Sequence, residues 1–388
     1  MARHGATSRR DFLKSGAVGL ASAAIVPGTV NGMTAPGVMP SVAPGPDSAA
    51  AIAIKEQGSF FVGGTVVTGA NGDTFHGDHA YVQYQIPPDA RNLPLVMWHG
   101  AGQFSKTWET TPDGREGYQT IFLRRGFSTY LLDQPRRGRA GRGTVGTTIP
   151  SAVANESSLW GLFRLGTWVP PNPPSFFPNV QFPQDPESLA QYYRQQTPNT
   201  GPQSNALSSD AIAALFGKIG PGILITHSMG GLPGWLTAIK APNVRAVVSY
   251  ETSFYVFPTG EVPPPVPTGF VPVTGTAVAP AEFEKLTRIP ILLVFGDNIP
   301  TAPSSTVLDV WRGTMIMAQN FVDAVNRHGG DAELLHLPRI GVFGNTHFAF
   351  SDLNNIQIAD LLSAWLHDKR LDKRGNGHRQ PSRPELAG

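Results

Sequence analysis

The segment GILITHSMGGLPGWL, Gly222 to Leu236, ends a β-branched apolar run at His-Ser-Met-Gly-Gly and then takes up a helical pattern. A serine at such a junction has the makings of a nucleophile. A tight strand-to-helix turn holds its hydroxyl above the sheet, at the amino end of the helix, where free backbone N–H groups can receive a developing oxyanion. The turn demands small neighbours, and Gly230 and Gly231 supply them after Ser228. Two places before it stands Thr226 where glycine is usual, so the pentapeptide alone also suits a serine that caps a helix. Two further segments favour the nucleophile. PLVMWHGAG puts His99-Gly100-Ala101-Gly102 at the end of an early strand, where small residues let backbone approach a substrate oxygen. GVFGNTHFAF puts His347 in a loop between the last strand and the last helix, where a general base must come to meet the serine.

A histidine base needs a carboxylate to fix its tautomer, and the sequence offers two. The common place is three residues past the glycine that follows the seventh strand, here IPILLVFGD, but that position is Ile299. Asp297 directly follows Gly296 instead, where a carboxylate more often braces the loop. Glu251 ends the sixth strand, VRAVVSYE, and a glutamate closing a buried apolar run is costly unless paired. Its longer side chain suits a reach across to an imidazole, so Glu251 is favoured and Asp297 is the alternate. With neutral His347 as base, activity is expected to fall with acidification through an apparent pKa of roughly 6–7.

These residues need a scaffold that brings distant strand ends together. After Pro94 short apolar runs alternate with helical segments: PLVMWHG, STYLLD, GILITHS, VRAVVSYE, IPILLVFGD and AELLHLP. Continuous runs of this kind suit strands buried on both faces, and the alternation implies an α/β fold, a mostly parallel sheet with helices on both sides. Helices are expected over 116–125, 229–239, 310–328 and 353–368. The last would set Leu353, Ile356, Ile358, Leu361, Leu362, Trp365 and Leu366 mainly along one side. SFFVGGTVVTG and AYVQYQIP read as antiparallel strands joined by a polar turn. Two long excursions interrupt the pattern, about 144–216 and about 254–280. Both are rich in proline and read as a cap and a rim loop over the carboxyl edge of the strands. Cap aromatics Trp160, Phe163, Trp168, Phe176 and Phe177 are core by default, with some expected to line a pocket.

Composition closes off other chemistries. The chain of 388 residues has no cysteine, which excludes disulfides, thiolate metal sites, Fe–S clusters and cysteine nucleophiles. A net charge of +2 gives no general affinity for nucleic acid. HGDH, His76 to His79, reads as a solvated turn rather than a metal site, and RRGRAGR, Arg136 to Arg142, as a polar loop near the site mouth that would favour anionic substrates. No metal or cofactor is called for. SRRDFLK, Ser8 to Lys14, followed by the weakly apolar SGAVGLASAAIV, matches a twin-arginine export signal, with Ala21-Ser22-Ala23 one possible cleavage site. Residues 1–50 are therefore expected to be signal and flexible leader, 51–370 the catalytic domain, and 371–388 a disordered tail. No apolar run reaches the ~20 residues that a membrane span needs.

The segments GSFFVGG, YVQYQIP, TWETTPDGR, GFSTYLLDQPRRGR, VQFP, VVSYE, LLVFGDNI, GVFGNTH and DLNNIQIADLL are spread over most of residues 58–368. In them the chain resembles a small group of secreted bacterial esterases of the α/β-hydrolase fold, whose acid is a glutamate after the sixth strand. The resemblance implies Ser228 as nucleophile, His347 as base, Glu251 as acid, and the backbone N–H groups of Met229 and Ala101 as oxyanion donors. It implies a secreted enzyme that cleaves small-molecule esters, and with the N-terminal signal the expected route is the twin-arginine machinery and the expected location periplasmic or secreted. The alternatives are amide, thioester or lactone hydrolysis on the same triad, or a non-catalytic protein that holds a ligand under the aromatic cap.

Overall fold

The computed structural model describes residues 51–146 and 155–374. The export signal and leader expected over residues 1–50, and the tail past Arg374, lie outside the described residues. One eight-stranded sheet organises the chain: β1 Glu56–Val62, β2 Ala80–Ile86, β3 Leu95–Trp98, β4 Thr129–Asp133, β5 Gly222–His227, β6 Val244–Tyr250, β7 Pro290–Phe295 and β8 Asp331–His336. Their spatial order is β1-β2-β4-β3-β5-β6-β7-β8. β2 runs antiparallel to β1 and β4, and every pair from β4 to β8 is parallel. The helices are α1 Tyr118–Arg124, α2 Glu156–Leu162, α3 Pro186–Arg194, α4 Asn205–Ile219, α5 Gly231–Lys240, α6 Pro280–Phe283, α7 Asp309–Arg327 and α8 Asn355–Asp368.

The continuous apolar runs are explained by cover on both faces. Leu95, Met97, Ile223, Ile225, Val248, Leu292 and Val294 pack with α1 and α8. Their neighbours Val96, Trp98, Leu224, Val247, Ile291 and Leu293 pack with α4, α5 and α7. A strand sandwiched this way has no polar side to show. On α8 the buried apolar positions are Ile358, Ala359, Leu362, Trp365 and Leu366, whereas Ile356, and Leu353 just before the helix, are exposed, so the apolar stripe is narrower than the sequence suggests.

Between β1 and β2 the chain makes a separate hairpin, Thr65–Thr68 paired with Thr74–Gly77, in place of a simple polar turn. α4 belongs to the sheet layer rather than the cap, since its Ile212, Leu215 and Phe216 are core residues. The described cap therefore runs over residues 155–204 and holds α2, α3 and the small pair Gly166–Thr167 with Ser175–Phe176. Asn155 and Asp185 cap α2 and α3 by accepting the N–H groups of Ser158 and Ser188, and Pro186 opens α3 at a position that lacks an intrahelical partner anyway. The second excursion folds onto α7: a Cβ on Gly313 would lie 2.7 Å from Thr268 Cγ2. The first residues of the expected disordered tail are held, with the Lys373 carbonyl accepting from Asn92 and Arg374 bridging to Arg91. Among the described residues no helix is long and apolar enough to cross a membrane.

HGDH is not a solvated turn at its third residue. Asp78 is buried and takes a two-pronged contact from Arg136, Nε–Oδ1 2.6 Å and Nη2–Oδ2 2.9 Å. Arg136 is also buried, so removing either partner strands a charge in the interior. Asp78→Ala is expected to lower stability by about 3 kcal/mol in urea unfolding, while Asp78→Ala with Arg136→Met recovers much of the loss.

Candidate active site

Ser228 follows β5 directly and begins a single 3₁₀ turn, Ser228–Gly230, that leads into α5. Its φ of 53° lies in the left-handed region, which a residue with a Cβ adopts only under constraint. The constraint is packing. A Cβ on Gly230 would stand 2.9 Å from the His99 carbonyl, and one on Gly231 would stand 1.8 Å from Thr252 Oγ1. The threonine at the position usually held by glycine is accommodated from the other side: Thr226 Cγ2 lies 2.7 Å from where a Gly234 Cβ would be. Thr226 Oγ1 is also satisfied, 2.7 Å from Ser249 Oγ on β6. Glycine has moved from the strand to the helix, and the turn keeps its clearance.

The loop after β3 lies against this turn. A Cβ on Gly100 would sit 2.9 Å from Ser228 Cβ and 2.7 Å from His227 Nδ1. The Gly100 carbonyl is held from three directions: by His99 Nδ1 at 2.9 Å, Arg137 Nη1 at 3.2 Å and the Gln103 N–H at 3.4 Å. A trans peptide points its N–H opposite its C=O, so fixing this carbonyl also fixes the N–H of Ala101. His99 is neutral, because burial and then the Arg137 charge push it down to about 4. It receives the Gln134 N–H on Nε2, which leaves the proton on Nδ1 for Gly100. Arg137, expected at a polar surface, is buried; its fork also grips Asn199 Oδ1 at 2.6 and 2.8 Å. Arg139 pairs with buried Asp133 at 3.0 Å. The arginine run thus serves loop architecture, and its first two members are not offered to an anionic ligand.

His347 is fully buried, with Nδ1 3.4 Å from Glu251 Oε2. The structure therefore brings Glu251, and not Asp297, to the imidazole. Asp297 spends its carboxylate on the N–H groups of Asn298 at 2.7 Å and Gly344 at 2.8 Å, bracing the loop that carries the histidine. Glu251 is also left-handed, with φ 53°. It is fully buried, and its Oε1 accepts the Gly296 N–H and Arg164 Nη2, the latter at 2.6 Å. Burial pushes its carboxyl up, but the Arg164 charge and the contact with His347 bring it below the usual carboxylate range. Burial lowers His347 below its ordinary value, opposed by Glu251 and aided by Arg164. Nε2 of His347 is buried without a hydrogen-bond partner among the described residues. His227 donates Nε2–H to the His347 carbonyl at 2.9 Å and stays neutral, being buried and beside that second imidazole.

Two cap residues complete the site, and the sequence reading missed the role of both. Phe163 stacks on His347, ring centroids 4.9 Å apart and planes 1° from parallel, and its carbonyl accepts the His347 N–H at 3.1 Å. Arg164 is the partner of Glu251 named above. Trp311 of α7 also lies against His347, ring centroids 4.6 Å apart. Trp160 and Trp168 lie one layer out, 5.8 Å apart, and with Leu189 and Tyr193 line a cavity of about 500 Å³ between α2 and α3. A strained serine, a neutral buried imidazole and a paired carboxylate beside a clamped glycine loop form a constellation able to perform acyl transfer.

A scan against protein-family models returns no match. The chain is 28% identical over 312 residues to a probable secreted lipase of a fungal species (strain ATCC 74256), spanning 74% of this chain and 85% of that protein. A novel bacterial esterase solved at atomic resolution is 31% identical and superposes with a TM-score of 0.65, over 82% of this chain and 98% of that one.

The packing at the turn can be measured. Gly231→Ala must displace Thr252, the residue after Glu251, and is expected to cost about 1–3 kcal/mol in chemical denaturation. Gly217→Ala on the exposed side of α4, where a Cβ meets nothing within 4 Å, should instead stabilise by about 0.5–1 kcal/mol.

Proposed function

The chain belongs to the α/β-hydrolase superfamily, and from that premise we propose that it is an exported serine hydrolase cleaving carboxylic esters through an acyl-enzyme. The observation that carries the reading is the buried His347–Glu251 pair together with Ser228 held at positive φ between a buried strand and a helix, its neighbour His227 bonded to the His347 carbonyl. The esterase and lipase relatives support the ester as substrate class. Ser228 Oγ attacks the carbonyl carbon while His347 Nε2 takes its proton. Glu251 accepts the Nδ1–H, holding the tautomer and stabilising the imidazolium that forms. The N–H groups of Met229, at the start of the turn, and Ala101, on the clamped peptide, receive the oxyanion. His347 then protonates the departing alcohol, and water, activated by the same nitrogen, releases the acid.

Ser228→Ala is expected to lose kcat by about 10⁴-fold or more on short p-nitrophenyl esters, together with labelling by a fluorophosphonate. A folded wild-type protein that neither labels nor turns over these esters, nor the corresponding amides, thioesters and lactones, would favour a ligand-binding role instead. Glu251→Gln should cost about 10²–10⁴ in kcat and Asp297→Asn far less; the reverse order would reassign the acid.

Activity requires neutral His347, whose proton affinity burial has lowered, so activity is retained above its folded pKa and lost as pH falls through it. The acid limb of kcat/KM should therefore lie below the ordinary imidazole value of about 6.5, lower than sequence alone suggests. We assign a periplasmic or secreted location from the twin arginines and the secreted relative. Arg9→Lys with Arg10→Lys should leave the precursor in the cytoplasmic fraction.

A further inference from the structure

We propose that Arg164, carried by the cap, is a positioning residue for the catalytic pair: it orients the Glu251 carboxylate toward His347 and shares its charge, and so sets how readily the base is protonated. The inference rests on the triad reading above and extends it to a residue outside the triad.

The geometry is that of a built contact. Arg164 and Glu251 are both fully buried, 2.6 Å apart, and 87 residues apart in sequence. Nε of the same guanidinium donates to the Asp297 carbonyl at 2.7 Å, and its plane lies 4.8 Å from the Trp311 ring centre. Three elements therefore fix the guanidinium: the ends of β6 and β7, and α7. The residue that delivers it is itself in the left-handed region, with φ 62°. Among the residues of the site this strain is shared with Ser228 and Glu251, the two whose placement the chemistry depends on. Because Arg164 and Gly296 occupy Oε1, the free oxygen Oε2 is the one turned to His347.

The charges around the base are few and can be named. Glu251 faces it from the end of β6, Arg164 from the cap, and neutral His227 from the end of β5, ring centroids 4.5 Å apart. Asp297 at the end of β7 gives its carboxylate to loop N–H groups. Asp352, six residues past Thr346, accepts from Thr346 and Asn345, and burial pushes it up to about 7. His336 at the end of β8 is half-buried and held low by burial and then by Arg339. Among the described residues Arg164 is thus the one arginine or lysine in direct contact with the acid. Removing it leaves the Glu251 charge facing the imidazole alone, which favours the imidazolium.

Arg164→Met should move the acid limb of kcat/KM upward by about one pH unit relative to wild type, and lower kcat by about tenfold or more with KM changed less. Arg164→Lys keeps the charge but cannot grip Glu251 and the Asp297 carbonyl together. It should leave the acid limb in place while kcat still falls by about tenfold. In a Glu251→Gln background Arg164→Met should cost far less kcat than it does in the wild type, because the carboxylate that it orients is gone. A residue that only supported folding would lower the melting temperature and leave the limb unmoved, and that result in Arg164→Met overturns the proposal. If Arg164→Met does not fold, wild-type kcat in Arg164→Lys overturns it instead. Fluorophosphonate labelling of the wild type separates the two levels. No labelling defeats the serine-hydrolase reading, whereas labelling with an unmoved limb defeats only the role of Arg164.

Discussion

A carboxylate without solvent must be paired, and the site is arranged around that requirement at Glu251. An ionised group transferred to a dry interior costs several kcal/mol even after relaxation, and only close partners with good geometry offset it. Glu251 has three: Arg164, the Gly296 N–H and His347. Each comes from a different segment, the cap, the end of β7 and the loop after β8. The desolvated carboxylate therefore gathers these segments, and His347 is positioned as one consequence of satisfying it. Its own backbone at φ 53° turns the side chain into this space rather than onward along the strand.

Close approach of strand ends makes the gathering possible, and it depends on side chains that are missing. Gly100 admits the turn at Ser228, Gly231 admits Thr252, and Gly296 stands against the Asn345 and Thr346 carbonyls, which a Cβ would meet at 2.6 and 2.8 Å. The neighbours are the His227 imidazole and Ser228 Cβ at Gly100, a threonine side chain at Gly231 and backbone at Gly296. Gly234 belongs to the same set, although it lies in a helix where glycine normally weakens structure. It provides the clearance that Thr226 uses, so the loss in helix propensity is offset by a tighter junction between β5 and α5.

Those local constraints are what the sequence displays. Continuous apolar runs identify strands covered on both faces, and the order of serine, glutamate and histidine segments matches the order of the sheet's parallel strand ends. The preference for Glu251 over Asp297 rests on Ile299 at the usual acid position, on a long carboxylate closing a buried strand and on the family resemblance, and the contact with His347 agrees with it. Contacts across long separations left no such trace. Arg164 sits in a stretch, LFRLGT, that has no pattern marking it as buried, and its partner is far away in the chain. Arg136 and Arg137 read as surface by composition because charge is usually solvated. Each is buried against distant acceptors, Asp78 and the Pro202 carbonyl for Arg136, Asn199 and the Gly100 and Gln103 carbonyls for Arg137, that composition cannot connect to it. The same holds for Phe163, an ordinary core aromatic until its ring is found stacked on the imidazole.

The cap is consequently tied into the site along its length. At one end Phe163 and Arg164 hold His347 and Glu251. At the other, the Thr197 N–H donates to the Gly102 carbonyl at 2.8 Å, and Asn199 anchors Arg137 beneath the Gly100 peptide. Lifting the first tie would strand a buried carboxylate, at a cost of about 3–5 kcal/mol. Lifting the second would release the peptide that carries the Ala101 N–H. Between them Gln181 donates its N–H to the Gly344 carbonyl at 2.7 Å and accepts the Leu353 N–H at 2.6 Å, and buried Tyr192 of α3 packs edge-on to Phe348, so the middle of the cap is held to the histidine loop as well.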